Sequence, residues 1–250
     1  MKISDNSLAG KTALVTGGAV RIGSAMVNAL AKNGVNVVIH YHASEDEAEK
    51  LVKEIKKLGV NGCKVCADLS RVHETEELFK EVQSKAGKID FLINSAAVFD
   101  KSSIPDISIE NLHRTLMINS FAPLLLSRKF SKQTNKGAII NLLDSRVTRY
   151  DLKRVSYQLS KNLLCHLTKM MALEFAPDIR VNAVAPGLIL PPCGKDESYI
   201  EKERHRNLLQ QGGKLNNITD TIIFLLSNEF VTGETIFVDG GENLKERLLD

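Results

Sequence analysis

The sequence predicts a single α/β domain over residues 1–250, built on one doubly wound parallel sheet of about seven strands with helices on both faces. Three observations carry that prediction. Short apolar runs alternate with helix-period segments from residue 11 to residue 238, the pattern of parallel strands joined by crossover helices. The first strand runs straight into a glycine turn that opens a helix. No linker-like, repeated or low-complexity stretch divides the 250 residues, a length that suits one large domain.

Taken in order, Lys11 to Thr16 reads as a buried strand, followed by the turn Gly17 to Gly23 and a helix from Ser24 to Lys32 closed by Asn33-Gly34. Gly17 permits the tight turn, Gly23 lets helix and strand pack closely, and free N–H groups at the helix start can hold a pyrophosphate. Arg21 and Ile22 belong to the same candidate cofactor loop. This is the context of a Rossmann-type dinucleotide site. The second strand, Val35 to Tyr41, ends in His40-Tyr41-His42-Ala43-Ser44, with no acid until Glu45. An acid there would bind an adenosine ribose and repel a 2′-phosphate. The imidazoles and the Ser44 hydroxyl can instead bind phosphate, with Arg21 adding a cation. NADPH is therefore preferred over NADH, although His40 and His42 also fit as strand-end residues without a ligand.

The alternation continues. A helix over 44–58 ends at Gly59, and a strand over 62–67 leads to Asp68-Leu69. Ser70 is placed to cap a helix through Lys85, and Asp90 to Asn94 is the fourth strand. Asn94-Ser95-Ala96-Ala97-Val98-Phe99 then offers small residues that let a nucleotide approach. A long helix over 108–133 carries Asn119, a strand over 138–143 ends at Asp144, and a helix over 154–175 carries Tyr157 and Lys161. A strand over 179–184 ends at Pro186-Gly187. The stretch 188–213, Pro-rich and then charged, suits a mobile substrate lid. A helix over 217–227 and a strand over 234–238 close the domain. Right-handed crossovers gather Gly17–Gly23, Asn94–Phe99, Asp144 and Pro186-Gly187 at one sheet edge, where such folds bind ligands.

The chemistry centres on Tyr157 and Lys161, four residues apart and so on one helix face. An ammonium beside a phenol lowers the phenol pKa and suits it to general acid–base work. Asp144, at a strand end, is placed to form an acid–base pair with that phenol. A Tyr-x-x-x-Lys spacing is common on solvated helix faces, so the rest of the chain decides its meaning.

Composition narrows the classes. The 43% hydrophobic and 25% charged residues are ordinary for a protein with a full core, and a dispersed net charge of +3 argues against nucleic acid. No apolar stretch reaches membrane-spanning length and MKISDNSLAGK lacks a signal-peptide core, so cytoplasmic residence is the default expectation. Cys63 and Cys66 lie three apart on a strand and face opposite sides; with Cys165 and Cys193 they read as reduced structural thiols. The histidines show no ligand spacing, and no metal site is expected.

With these residues assembled, the chain resembles the short-chain dehydrogenase/reductase superfamily over its full length: Thr16-Gly17, Asp68, Asn94-x-Ala96, Asn119, the Tyr157/Lys161 pair, Pro186-Gly187 and Asp239-Gly240-Gly241 recur in order. The resemblance implies that Tyr157 donates the proton, Lys161 holds the nicotinamide ribose, Asn119 supports a relay water and Asp68 faces the adenine. It also places Leu69, Ser95 and Leu188 along the cofactor, and implies a homotetramer. Two departures narrow it. Arg21 replaces the middle glycine of the turn, and Asp144 stands thirteen residues before the Tyr, where a Ser is usual. Both changes are those of the pteridine reductases and the related dihydromonapterin/dihydrofolate reductases. His40-Tyr41-His42 also resembles that subgroup, but Ala43 replaces its usual Arg. Phe99 falls where the subgroup stacks an aromatic on the pterin, and Leu190 in the lid would touch substrate.

Asp144 carries an independent argument. Ketone reduction develops negative charge on oxygen, which a hydroxyl stabilises and a carboxylate repels. Reduction of a C=N bond needs a proton on nitrogen, which a carboxyl coupled to a Tyr can relay. The expected activity is NADPH-dependent reduction of a dihydropterin, dihydromonapterin or dihydrofolate ring. Ser145 could supply the missing hydroxyl, which would favour small carbonyl or 3-oxoacyl substrates. A dinucleotide-sensing protein without turnover is the third possibility.

Overall fold

A computed structural model describes residues 8–133, 136–192 and 194–245; Cys193 and most of the polar N-terminal lead lie outside the described residues. The sheet holds seven strands, all paired in parallel: β1 (Thr12–Val15), β2 (Asn36–Tyr41), β3 (Gly62–Cys66), β4 (Phe91–Asn94), β5 (Gly137–Leu142), β6 (Ile179–Pro186) and β7 (Thr235–Val238). Their order is β3-β2-β1-β4-β5-β6-β7, so the winding reverses between β1 and β4. The two crossovers leave that point in opposite directions, and a crevice opens at the strand ends between them.

Strand alternation divides the core into two layers. Ala13, Val15, Ala138, Ile140 and Leu142 pack beneath α1 (Arg21–Lys32), α2 (Glu45–Lys56) and α8 (Leu215–Ser227). Leu14, Leu92 and Ile139 face the other way, against α3 (Val72–Ala86), α5 (Ala122–Gln133) and α6 (Val155–Phe175). A sheet covered on both faces needs near-continuous apolar strands, and that is how these strands read.

Several local readings change. Ser70 does not cap α3: the cap position is Arg71, and Asp68 orders the approach by accepting from the Ser70 N–H (2.9 Å) while its own N–H donates to Glu74 (2.7 Å). Helix α1 begins at Arg21, three residues before Ser24, because Arg21 adopts the left-handed φ of 55° that glycine would favour and the chain turns helical at once. The helix expected over 108–133 is α4 (Ile109–Leu116), a π turn over Met117–Phe121 and α5. Within 188–213 the chain forms α7 (Ser198–Glu203) and a 3-10 turn over Arg204–Arg206. Its two ends are joined where Gly213 N–H donates to the Leu188 carbonyl (2.8 Å). A last helix, α9 (Glu242–Lys245), follows β7.

Candidate active site

A cleft of about 480 Å³ occupies the crevice at the winding reversal. Its floor is the glycine turn, held by hydrogen bonds and close backbone packing. Thr16 Oγ1 accepts from the N–H groups of Ser95 (2.9 Å) and Ala96 (3.1 Å), which brings the loop after β4 against the turn. A Cβ on Gly17 would lie 2.9 Å from the Ala96 Cα, and one on Gly23 only 2.0 Å from the Gly17 carbonyl oxygen. Helix α1 starts from Val20 with no side-chain cap and no acid in its first turn, so its leading N–H groups and positive dipole end point into the cleft. That is the cradle a dinucleotide pyrophosphate requires. Nearby, Asn94 donates to Asn141 (2.8 Å) while its own buried Oδ1 has no partner.

One end of the cleft is walled by Tyr41, His42, Ser44, Asp68 and Leu69. The first acid after β2, Glu45, is bound to Lys64 (2.9 Å), which compensates its charge. His40 is corrected here. Its Nδ1 accepts from the Gly17 N–H (3.1 Å), and its Nε2 lies 3.1 Å from the Ala67 carbonyl, which fixes the proton on Nε2. Burial pushes its pKa down to about 4. The ring is a neutral bolt between the turn and β3, not a phosphate cation. Arg21 spans the cleft mouth and donates to the Pro191 carbonyl (2.8 Å), joining the glycine turn to the 188–213 segment.

At the far end Tyr157 and Lys161 line the same cleft, with Pro186 opposite. The Tyr157 hydroxyl donates to Asp144 Oδ2 (2.9 Å), and Asp144 Oδ1 accepts from the Arg146 N–H (2.8 Å). The pair inferred from sequence is thus in contact. Its electrostatics differ from expectation. Burial, then the Asp144 charge, pushes the Tyr157 pKa well above that of a free phenol, where the sequence suggested a lowered value. Lys161 cannot offset this: its Nζ donates to the Leu142 carbonyl (2.6 Å), lies 5.8 Å from the Tyr157 ring centroid and is itself pushed down to about 8 by burial. Tyr157 is therefore a protonated donor at neutral pH.

Asn119 sits in the π turn, a helical irregularity that often marks functional positions. It accepts from the Val98 N–H (2.9 Å) and donates to the Val98 carbonyl (3.0 Å) and the Ser160 hydroxyl (2.9 Å), clamping the loop after β4 to α6. Ser145 is buried and donates to Glu242 (3.4 Å), away from Tyr157. Phe99 meets Tyr157 edge to face at 4.6 Å. Two guanidiniums that the sequence reading missed flank Phe99, Arg154 at 4.2 Å and Arg146 at 5.3 Å. Their signal was present as basic residues bracketing the Tyr157 segment, but arginines on a polar stretch read as solvated. Gly187 packs on Asp239, Leu188 accepts from Gly213, and Leu190 lies partly buried against the core. The free thiols Cys63 and Cys165 are half-buried and Cys66 is exposed. Among the described residues there is no group of three or more potential metal ligands, and no helix is long and apolar enough to cross a membrane.

Residues 18–243 match the family model described as Enoyl-(Acyl carrier protein) reductase. The chain is 36% identical to mouse (Mus musculus) L-xylulose reductase, covering 95% of this chain and 98% of that protein. It is 33% identical to a 3-oxoacyl-[acyl-carrier-protein] reductase of Staphylococcus epidermidis, covering 92% and 98%. Among solved structures, FolM alternative dihydrofolate reductase 1 from Brucella canis, complexed with NADP, superposes with a TM-score of 0.91 at 33% identity over 96% of this chain and 97% of that one.

Proposed function

Because the chain belongs to the short-chain dehydrogenase/reductase family, we propose that it is an NADPH-dependent reductase of the C=N bond in a reduced pterin ring, a dihydropterin, dihydromonapterin or dihydrofolate. The observation that carries this reading is the 2.9 Å contact between the Asp144 carboxyl and the Tyr157 hydroxyl. NADP is the cofactor, consistent with the glycine cradle, the uncapped start of α1 and the absence of an uncompensated acid at the end of β2. When bound, NADPH supplies a hydride to the electrophilic carbon of the substrate.

The protein supplies the proton. Tyr157 passes its hydroxyl proton to the ring nitrogen, and Asp144, hydrogen-bonded to that hydroxyl, relays a replacement proton from solvent to the phenol. The observed contact, the phenol donating to Asp144, is the state poised to give that proton. A carbonyl reduced at this position would develop its negative charge beside that carboxylate and be opposed by it. Lys161, held on the Leu142 carbonyl, lines the nicotinamide end of the cleft and is placed to hold the ribose. Asn119 holds the loop that carries Phe99, which offers an apolar face to the ring. Residues 188–213, Leu188 and Leu190 included, act as the lid, tethered through Arg21 and Pro191. An exposed stripe on α6 (Leu159, Met170, Leu173) supports a homo-oligomer, for which a homotetramer is proposed.

The test follows NADPH absorbance with dihydrobiopterin, dihydrofolate and a panel of ketones, including sugars and 3-oxoacyl thioesters. Turnover on the pterins is expected; turnover on ketones alone would replace this reading with the carbonyl reductase that the sequence relatives suggest. Asp144→Asn should lower kcat on pterins by about 100-fold or more while leaving NADPH affinity within about twofold. In the wild-type enzyme kcat/KM should hold across neutral pH, because the raised Tyr157 pKa keeps the donor protonated, and fall only above the range of a free phenol. Asp144→Asn removes the charge that helps raise the phenol pKa and should bring that fall to lower pH. A collapse of NADPH binding in Asp144→Asn would instead make the carboxyl structural.

A further inference from the structure

Resting on that reading, we infer that Arg154 forms a substrate subsite over Phe99 that selects molecules presenting an anionic or carbonyl oxygen beside the reducible ring. Arg154 lies at the N-cap of α6, three residues before Tyr157, and its backbone is locked to the loop that carries Phe99. Ser102 pairs with Arg154 in an isolated parallel bridge. The Ser102 N–H donates to the Lys153 carbonyl (3.0 Å), Val155 N–H donates to the Ser102 carbonyl (2.9 Å), and Ser156 N–H donates to the Ser102 hydroxyl (3.0 Å). The guanidinium carbon is thereby held 4.2 Å from the Phe99 centroid, and Phe99 is itself 4.6 Å from the Tyr157 ring.

What distinguishes Arg154 from its neighbour is charge balance. Arg146 is paired with Asp151 (3.0 Å) and lies 3.9 Å from Asp144. Among the described residues Arg154 has no carboxylate within ion-pair distance, and its Nε is buried without a hydrogen-bond partner. A buried donor left unmade costs about 1–3 kcal/mol, and a guanidinium stacked on an aromatic face keeps its in-plane N–H edge for an acceptor. The site is electrostatically joined to the chemistry, since both guanidiniums oppose the upward pull on the phenol. A flat ring carrying an oxygen meets all three demands: an apolar face on Phe99, an acceptor for Arg154, and a nitrogen near Tyr157. The acceptor has two sources, a carbonyl oxygen on the ring or a carboxylate on a substituent.

Steady-state kinetics of Arg154→Ala, Arg154→Gln and Arg154→Lys, with dihydrofolate and dihydrobiopterin, test the subsite. Arg154→Ala and Arg154→Gln should raise KM at least about tenfold with kcat within about threefold and NADPH affinity unchanged, and Arg154→Lys should recover part of the loss. A rise confined to dihydrofolate identifies the acceptor as the carboxylate; an equal rise with dihydrobiopterin identifies the ring oxygen. KM values within twofold of wild type for both substrates overturn the inference. So does a parallel fall in kcat, NADPH affinity and thermal stability in the isosteric Arg154→Gln, which would make Arg154 a structural brace. If wild-type protein reduces neither pterin, the function reading fails by itself. The subsite is then read on a reduced ketone, comparing a keto acid with its ester: a preference for the acid that Arg154→Gln abolishes keeps the subsite, and no preference removes it.

Discussion

The imidazole of His40 is only 2% exposed, holds its proton on Nε2 and has its pKa pushed down by burial to about 4, against 6.5 for an ordinary histidine. The sign of the consequence follows from linkage. Above about pH 6.5 the ring is neutral in both folded and unfolded chains, and nothing changes. As pH falls from about 6.5 toward 4, the unfolded chain takes up a proton that the folded chain refuses, so stability drops by up to about 3 kcal/mol. Urea midpoints measured down that range should fall steeply in wild type and less steeply in His40→Asn. That variant keeps an acceptor for the Gly17 N–H, cannot be protonated, and should be about 1 kcal/mol less stable at neutral pH. Parallel slopes would assign the acid lability elsewhere. The residue scale is also where the sequence was least legible. A histidine at a strand end reads equally well as ligand or brace, because the choice depends on which backbone groups the neighbouring strand and turn bring to its nitrogens. The same holds for Tyr157. Four-residue spacing reveals the ammonium, but burial and Asp144 outweigh it, and neither is visible in spacing.

At the scale of elements, the long helical segment between β4 and β5 shows both what periodicity reveals and what it hides. Its apolar repeat gave the right extent, and Met117, Ala122, Leu126 and Phe130 all enter one core layer. The π turn over Met117–Phe121 escaped, because one widened turn shifts the register by too little to register in a 3.6-residue pattern. That turn places Asn119 where its amide makes three hydrogen bonds to Val98 and Ser160. Asn119→Ala should lower stability by about 2–4 kcal/mol, because it leaves buried partners on two elements unmatched. NADPH affinity should fall with it, since the freed loop includes Ser95 and Ala96, which Thr16 holds against the glycine turn. Chemical denaturation and cofactor titration on the same preparation check both; a stable variant with intact affinity would limit Asn119 to chemistry. The 188–213 segment was legible only as a break in the alternation. Its helix α7 has no buried residue, so no apolar face announced it.

Over the whole molecule, α9 packs back against the turn that follows Asp144, and one carboxylate joins the parts. Glu242, 4% exposed at the start of α9, accepts from Arg149 (2.5 Å), lies 3.5 Å from the Arg206 Nε and accepts from Ser145 (3.4 Å). Those partners belong to the 3-10 turn that follows Asp144, to its C-cap, and to the turn that follows α7 in the 188–213 segment. The seven strands were readable from the alternation of apolar runs, but this closure was not, because it joins residues about a hundred positions apart through side chains alone. Removing a buried partner of ion pairs is costly even where the intact network contributes little, so Glu242→Ala should lose about 3–5 kcal/mol of stability. Glu242→Gln retains an acceptor for Ser145 and should lose less. Glu201→Ala removes an exposed carboxylate paired with Arg204 (2.9 Å) in the same segment and should change stability by less than about 1 kcal/mol. Thermal unfolding of the three variants separates the cases. If the closure also sets the position of Asp144, kcat on the pterin substrate should follow the order Glu201→Ala, Glu242→Gln, Glu242→Ala, with KM for NADPH nearly constant; equal kcat in all three would confine Glu242 to holding the fold.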